Sequence, residues 1–415
     1  MLVLNQPLPP LARVVQRFDR SELSDPAAAA REEVRRLGLS TKLKPGARVA
    51  VTAGSRGIAN LLAITAAAIA ELKAEGYAPF VVPAMGSHGE ATAEGQKALL
   101  ESLGLTEEAL GAPILSSMEV LQLGTAEDGM PVYCDRNAAS ADGILLINRV
   151  KPHPAFDGEI ESGLMKIMAV GLGKQRGAET IHAWGLGPAV LKGGRVIMQK
   201  APIVGGLAIL ENAFEKTRRI VGVRPEQMEE IEKALLAEAK ERFPRLPFQQ
   251  LDALVVEQMG KNIAGSGMDL NIIGVWRRNG GPRVPDYGRI AVLDLTEESH
   301  GNGLGVGFAD VTTTRLVSKI DRAITYANVL TTGHYASAKI PLTMETDREA
   351  LMAATKGFAP DKIRMARIHN TLHLHELWAS PALLEELRAN PKIEYVGEPK
   401  PLAFDALGNL LPADG

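Results

Sequence analysis

Residues 48–75, RVAVTAGSRGIANLLAITAAAIAELKAE, decide the fold. Arg48–Thr52 is a short β-branched run, AGSRGIAN is a glycine-punctuated turn, and Leu61–Glu75 is an apolar helical pattern. Strand, turn and helix in that order are the grammar of an α/β protein. The phrase recurs along the chain. Further strands are predicted at Pro79–Pro83, Gly143–Val150 and Gly206–Leu210, and further helices at Ala91–Ser102 and Gln175–Trp184. The charged segment Pro225–Arg245 predicts a solvated helix, and the proline-punctuated FPRLPF at 243–248 predicts a domain boundary near Gln249. A second set follows: DALVVEQM, GRIAVLDL, a helical segment Thr312–Ala327, and KIRMARIHN. The fold class expected is α/β: two α/β domains, residues 1–248 and 249–415, with a cleft between them that the second domain closes.

Composition narrows the function. At 415 residues the chain is long enough for two or three domains, each with its own core. A net charge of −3 argues against a nucleic-acid partner, and the basic run RVVQRFDR is short and interrupted by acid. Cys134 is the single cysteine, which excludes an intramolecular disulfide and a cysteine zinc site. LLAITAAAIAEL is too short and too amphipathic to span a bilayer, and MLVLNQPLPP lacks a basic-then-apolar signal pattern. The expectation is a soluble, cytoplasmic protein with no membrane partner.

In open parallel sheets ligands sit beyond the carboxyl ends of strands, so the turns there are where chemistry is sought. Three of them carry it. The first presents Arg56 in a Gly-Ser-Arg-Gly turn, suited to a carboxylate or phosphate, or else a surface arginine capping a loop. PAMGSHGEAT presents His88, a general base, a metal ligand or a structural loop residue. NRVKPHPAF presents Lys151 and His153, the latter directed by the proline before it. Further on, NRVKPHPAFDGEIESGLMKIMAVGLGKQRGAETIH at 148–182 sets Lys166 inside an apolar run, between His153 and His182. A lysine desolvated there loses its proton readily and becomes a nucleophile or a point of covalent attachment; the plainer alternative is a snorkelling lysine at a helix end.

Other features weigh less. GNGLGVG at Gly301–Gly307 lacks the Lys-Ser/Thr of a P-loop and the G-x-G-x-x-G spacing, and reads as a flexible loop beside the site. The two histidines of HLHE at 373–376 read as ordinary polar residues near the surface. GKNIAGSGMDLN begins a glycine-rich turn at a strand end, where Lys261 is expected to contact an anion.

Taken together, Gly86-Ser87-His88 and the span His153 to His182 resemble the nickel-dependent lactate racemase superfamily, over most of the first domain. Members use a nickel-pincer nucleotide, a pyridinium mononucleotide whose sulfur groups hold nickel. The resemblance implies that residues 1–248 bind the cofactor, Lys166 joins it through a thioamide, and His182 completes the metal's coordination. It implies further that His88 and His153 are acid/base residues on opposite sides of the substrate carbon, and that Arg56 orients the substrate. The expected partners are a small hydroxy acid and the enzymes that make the cofactor. The chain departs from the family pattern in three places. Ala53-Gly54-Ser55 stand where an acidic residue commonly precedes the arginine, Gly89 stands where an arginine commonly follows the first histidine, and Lys261 matches only loosely. These changes point to a racemase or epimerase of a 2-hydroxy acid other than lactate. Two other readings stay open: a metal-dependent hydrolase or lyase using His88, His153 and His182 directly, and a cofactor carrier without catalysis.

Overall fold

Strands form where apolar residues run without alternation, because both faces of the resulting sheet are covered. In chain order they are β1 (Ala12–Gln16), β2 (Arg48–Ala53), β3 (Ala78–Pro83), β4 (Val120–Thr125), β5 (Pro131–Asp135), β6 (Gly143–Arg149), β7 (Ile203–Glu211), β8 (Thr217–Val223), β9 (Gln250–Met259), β10 (Asp286–Leu295), β11 (Val311–Thr313), β12 (Leu342–Met344), β13 (Met365–Ile368), β14 (Glu376–Ala379) and β15 (Ile393–Val396). The computed structural model describes residues 5–55, 57–154 and 156–412. The chain divides into two units, an N-terminal one of Arg20–Phe243 and a C-terminal one of Met1–Asp19 with Pro244–Gly415. Each is α/β, as expected.

The N-terminal unit is built on a five-stranded sheet in the order β3-β2-β6-β7-β8, parallel except for β8. Its side chains alternate between two cores. Val49, Val51, Leu145, Ile147, Leu207 and Ile209 face one, with the helices Pro26–Leu37 and Leu61–Ala74. Ala50, Phe80, Val82, Ile144, Leu146 and Leu210 face the other, with the helical segments of residues 164–200 and the helix Met228–Arg242. The candidate site residues of this unit lie on the strand-end turns and on that second helical layer.

The C-terminal unit carries an eight-stranded sheet, β12-β11-β10-β9-β13-β14-β1-β15, parallel from β12 to β13 and antiparallel beyond. Strand β1 therefore belongs here, and not with residues 20–248 as the sequence expectation had it. It pairs with β14 and β15 and buries Ala12 and Val14 completely, a long-range contact with no local signal. Two further expectations are corrected. The helix Met228–Arg242 is not simply solvated, because Met228, Glu232, Leu235 and Leu236 are buried along one stripe. The segment Thr312–Ala327 is not one helix: Thr314–Ser318 ends, Asp321 caps a new start, and Arg322–Thr332 follows. GNGLGVG is a packed turn, with Leu304 and Val306 buried. No helix among the described residues is long and apolar enough to cross a membrane.

Candidate functional site

From β2 the chain winds to β3 on one side and later to β6 on the other. This is a topological switch point, where the strand-end turns splay and leave room for a ligand. The turn after β2 is held by Glu211, which accepts the Ala59 N–H at 2.7 Å and pairs with Arg149 of the neighbouring strand. Arg56, in the same turn, lies outside the described residues.

The turn after β3 carries His88, half-buried, and its Nδ1 is hydrogen-bonded to Ser55 Oγ of the β2 turn. Behind it stand two fully buried polar side chains. Gln96 donates from Nε2 to Gly86 O at 2.8 Å and to His88 O at 3.2 Å, and accepts from Lys174 Nζ at 2.9 Å. Lys174 also donates to Pro83 O at 2.5 Å and faces Asp135 at 3.2 Å. Burial pushes the Lys174 ammonium below its usual range and the Asp135 carboxyl above its own, while their mutual attraction opposes both. Burial also pushes the Cys134 thiol up to about 12, which leaves it inert. Gly89 has φ +65°, and a Cβ there would lie 2.6 Å from Gln96 N. The close approach of the helix Ala93–Ser102 leaves no space for a side chain.

Lys166 ends a one-turn helix, Leu164–Lys166, that continues as a π-helical segment Ile167–Leu172 and then, from Lys174 at φ +54°, as the helix Lys174–Ala183. Such π segments are frequent at functional sites, because the wide turn redirects side chains. The His88 turn is seated on this rod. Gly86 N–H donates to Gly171 O at 3.2 Å, and Ala178 Cβ lies 3.5 Å from where a Gly86 side chain would begin. His182 is one helical turn beyond Ala178 on the same face. It is half-buried, as is Lys166. The sequence expectation of a desolvated Lys166 is thus only partly met; the fully buried lysine of this rod is Lys174.

His153 sits in a loop whose ends are joined by a bridge between Lys151 and Ser162. Its ring stacks on Phe156, centroids 4.4 Å apart, and Phe156 in turn lies against Gly187 in the first turn of the helix that follows His182. The His153 N–H donates to Glu161 at 2.5 Å; Glu161 is buried and pairs with Lys240 at 2.5 Å. Burial raises the Glu161 carboxyl, against Lys240 and two backbone donors that lower it. A second buried carboxylate supports Lys166. Glu232 accepts the Met165 N–H at 2.9 Å at the start of the Lys166 helix, and a Cβ on Gly163 would lie 2.3 Å from its Oε1. Burial pushes Glu232 up to about 7, against those helix-start N–H groups.

Ser55 and His88 are thus joined across two strand-end turns, the His88 turn rests on the rod that bears Lys166 and His182, and His153 reaches the next helix through Phe156. Lys261 is in the other unit, at the end of β9, where its Nζ donates to Gly265 O at 2.7 Å and to Asn328 Oδ1 at 2.8 Å. Sequence reasoning missed Ser55, Gln96, Asp135, Glu161, Lys174 and Glu232. For Glu232 a signal existed: it shares the helical spacing of Met228, Leu235 and Leu236, the buried stripe. For Lys174 there was none.

No family model matches this chain, and no curated protein matches it. Among solved structures, the chain is similar to a protein from Thermotoga maritima, with TM-score 0.49 and 15% identity over 65% of this chain and 71% of that one. It is also similar to the lactate racemase apoprotein from Thermoanaerobacterium thermosaccharolyticum, with TM-score 0.46 and 12% identity over 68% of this chain and 74% of that one.

Proposed function

We propose that this chain is an isomerase, a racemase or epimerase of a small 2-hydroxy acid other than lactate, working with a nickel-pincer nucleotide at the switch point of the N-terminal unit. The observation that carries the reading is the seating of the His88 turn on the rod that bears Lys166 and His182, through Gly86, Gly171 and Ala178. The residues suit the group. Lys166 offers an amine at a helix end for covalent attachment, and His182 offers one imidazole, the single protein donor that a sulfur-bearing pincer leaves to be filled. When bound, the group would accept and return a hydride.

The protein's own share is proton handling and orientation. Because Ser55 engages Nδ1 of His88, Nε2 is the nitrogen assigned to exchange the substrate hydroxyl proton. His153, held by its stack on Phe156 and by Glu161, serves the opposite face, so that either enantiomer meets one base and one acid. Arg56 orients the substrate carboxylate. The hydrolase reading requires several protein ligands on one metal, and among the described residues no group of three His, Cys, Asp or Glu is placed to hold an ion.

The test is expression beside the cofactor-making enzymes, followed by intact mass and elemental analysis. The parent should carry an adduct and nickel, Lys166→Ala should lose the adduct, and His182→Ala should bind nickel far more weakly. A bare-chain mass with bound zinc would favour the hydrolase. A retained cofactor without solvent-hydrogen exchange into any 2-hydroxy acid would favour the carrier.

A further inference from the structure

The C-terminal unit has a switch point of its own. From β9 the chain winds to β10, β11 and β12 on one side, and β13 then pairs in parallel on the other. The turns after β9 and β13 meet beyond the carboxyl ends of those strands, where open α/β sheets hold ligands. Asp269 N–H donates to Thr371 Oγ1 at 2.8 Å across the two turns, and the first closes on itself through Gly260 N–H to Gly267 O at 2.9 Å.

The side chains there are ordered for a purpose that packing alone does not require. The register Val256↔Ile368 sets Glu257 beside His369. Glu257 accepts from Arg367 Nε at 2.5 Å and from His369 Nδ1 at 3.1 Å. Arg367 is only 4% exposed and lies over the Trp378 ring, so it neutralises Glu257 from behind. The His369 side chain is 48% exposed, and with Nδ1 donating to a carboxylate its orientation is fixed and Nε2 is turned away from Glu257. Glu257 holds the His369 imidazole above its usual pKa. The His373 ring lies nearly parallel to it, 21° off with centroids 6.4 Å apart, and its Nδ1 is held at 3.1 Å by buried Asn370. An imidazole backed by a carboxylate is the arrangement that proton- and anion-handling histidines use, and one negative and two positive groups leave this edge cationic when His369 is protonated.

We propose that this crevice is a second ligand site, taking a small anion with a carboxylate or phosphate group, with His369 Nε2–H as its donor and His373 as the facing ring. It stands apart from the isomerase reading and is tested on the full chain without cofactor. Histidine-ring NMR signals are followed while inorganic phosphate, and separately malonate, is added. The expected result is a saturable shift of His369 with one of them, the stronger arm telling phosphate from carboxylate. Binding should tighten as the pH falls through the His369 titration, with Glu257, Arg367 and His373 the charged and titratable groups around it. His369→Gln should bind roughly tenfold or more weakly, the worth of a charge-assisted hydrogen bond, and Glu257→Gln should weaken binding by releasing the ring. No shift with either anion, or parental affinity in a folded His369→Gln variant, overturns the proposal.

Discussion

In the N-terminal unit the strand-end histidines rest on polar groups sealed from water: Lys174, Gln96 and Asp135 behind His88, Glu161 behind His153, and Glu232 behind the helix of Lys166. In the C-terminal unit His369 rests on Glu257, whose side chain is 22% exposed, and the ring itself opens to solvent. Both are switch points in the parallel part of a sheet, with the same winding to either side of one strand. They differ in burial. A buried ion pair is a poor source of stability, because desolvating two charges consumes most of their attraction, so its presence fixes a geometry more than it strengthens the fold. The N-terminal edge therefore sets its histidines on partners sealed from water, whereas the C-terminal edge leaves its histidine open to solvent.

The sharpest way to break this contrast is Lys174→Met. It leaves Asp135 buried without a counter-charge, and stability measured by denaturant unfolding should fall by about 3–5 kcal/mol. A loss under about 1 kcal/mol would place the pair with ordinary surface contacts and erase the distinction.

Glu232→Gln tests the other buried anchor through pH. The folded-state pKa of Glu232 is raised from 4.5 to about 7, so its contribution to stability is fully present below the unfolded value and is lost as pH rises through about 7. The variant has nothing to ionise. Parent and variant stabilities should run together below about pH 4.5, diverge as pH rises from there to about 7, and stay offset above it, the variant being more stable by up to about 3 kcal/mol. Parallel curves would show that the carboxyl ionises freely in the fold.

For the histidines in front of those anchors, replacing His88 or His153 with Ala in cofactor-loaded protein should slow interconversion of enantiomers roughly a hundredfold, while the cofactor is retained. A double variant that racemised at the parental rate would remove the two-base mechanism. The smallest effect belongs to the C-terminal unit's surface. Arg364→Ala breaks the pair with Glu386, whose partners are 35% and 44% exposed, and should cost no more than about 1 kcal/mol in the same unfolding measurement.

Much of the fold was legible because its signals are local. Arg48–Thr52, Pro79–Pro83 and Gly143–Val150 were read as strands within a residue of their observed limits, since continuous apolar runs between glycine turns leave few alternatives. The placement of His88 and His153 on strand-end turns followed from the same reading, and that of His182 on a helix from its periodicity. What failed depended on distant partners. β1 could not be assigned to the C-terminal unit from residues 12–16, because β14 and β15, which pair with it, lie more than three hundred positions away along the chain. The two histidines of HLHE are polar residues near the surface, as expected, with His373 exposed; only the contact of half-buried His375 Nδ1 with Gln16 O at 2.8 Å depends on a distant segment.

By itself the sequence determined the α/β class, the two-part organisation and the set of histidines and lysines available for chemistry, because strand and helix formation follow from spacing over a few residues. The tertiary structure decided which polar side chains lose their water. Lys166 and Lys174 stand eight residues apart on one rod, and nothing in their immediate neighbours marks the second as the buried one. Pro83, Gln96 and Asp135, from three separate segments, close over Lys174 and leave Lys166 half-open. Desolvation is set by atoms brought together from across the chain, so the charge state and rigidity of such groups, and with them the character of the site, belong to the fold.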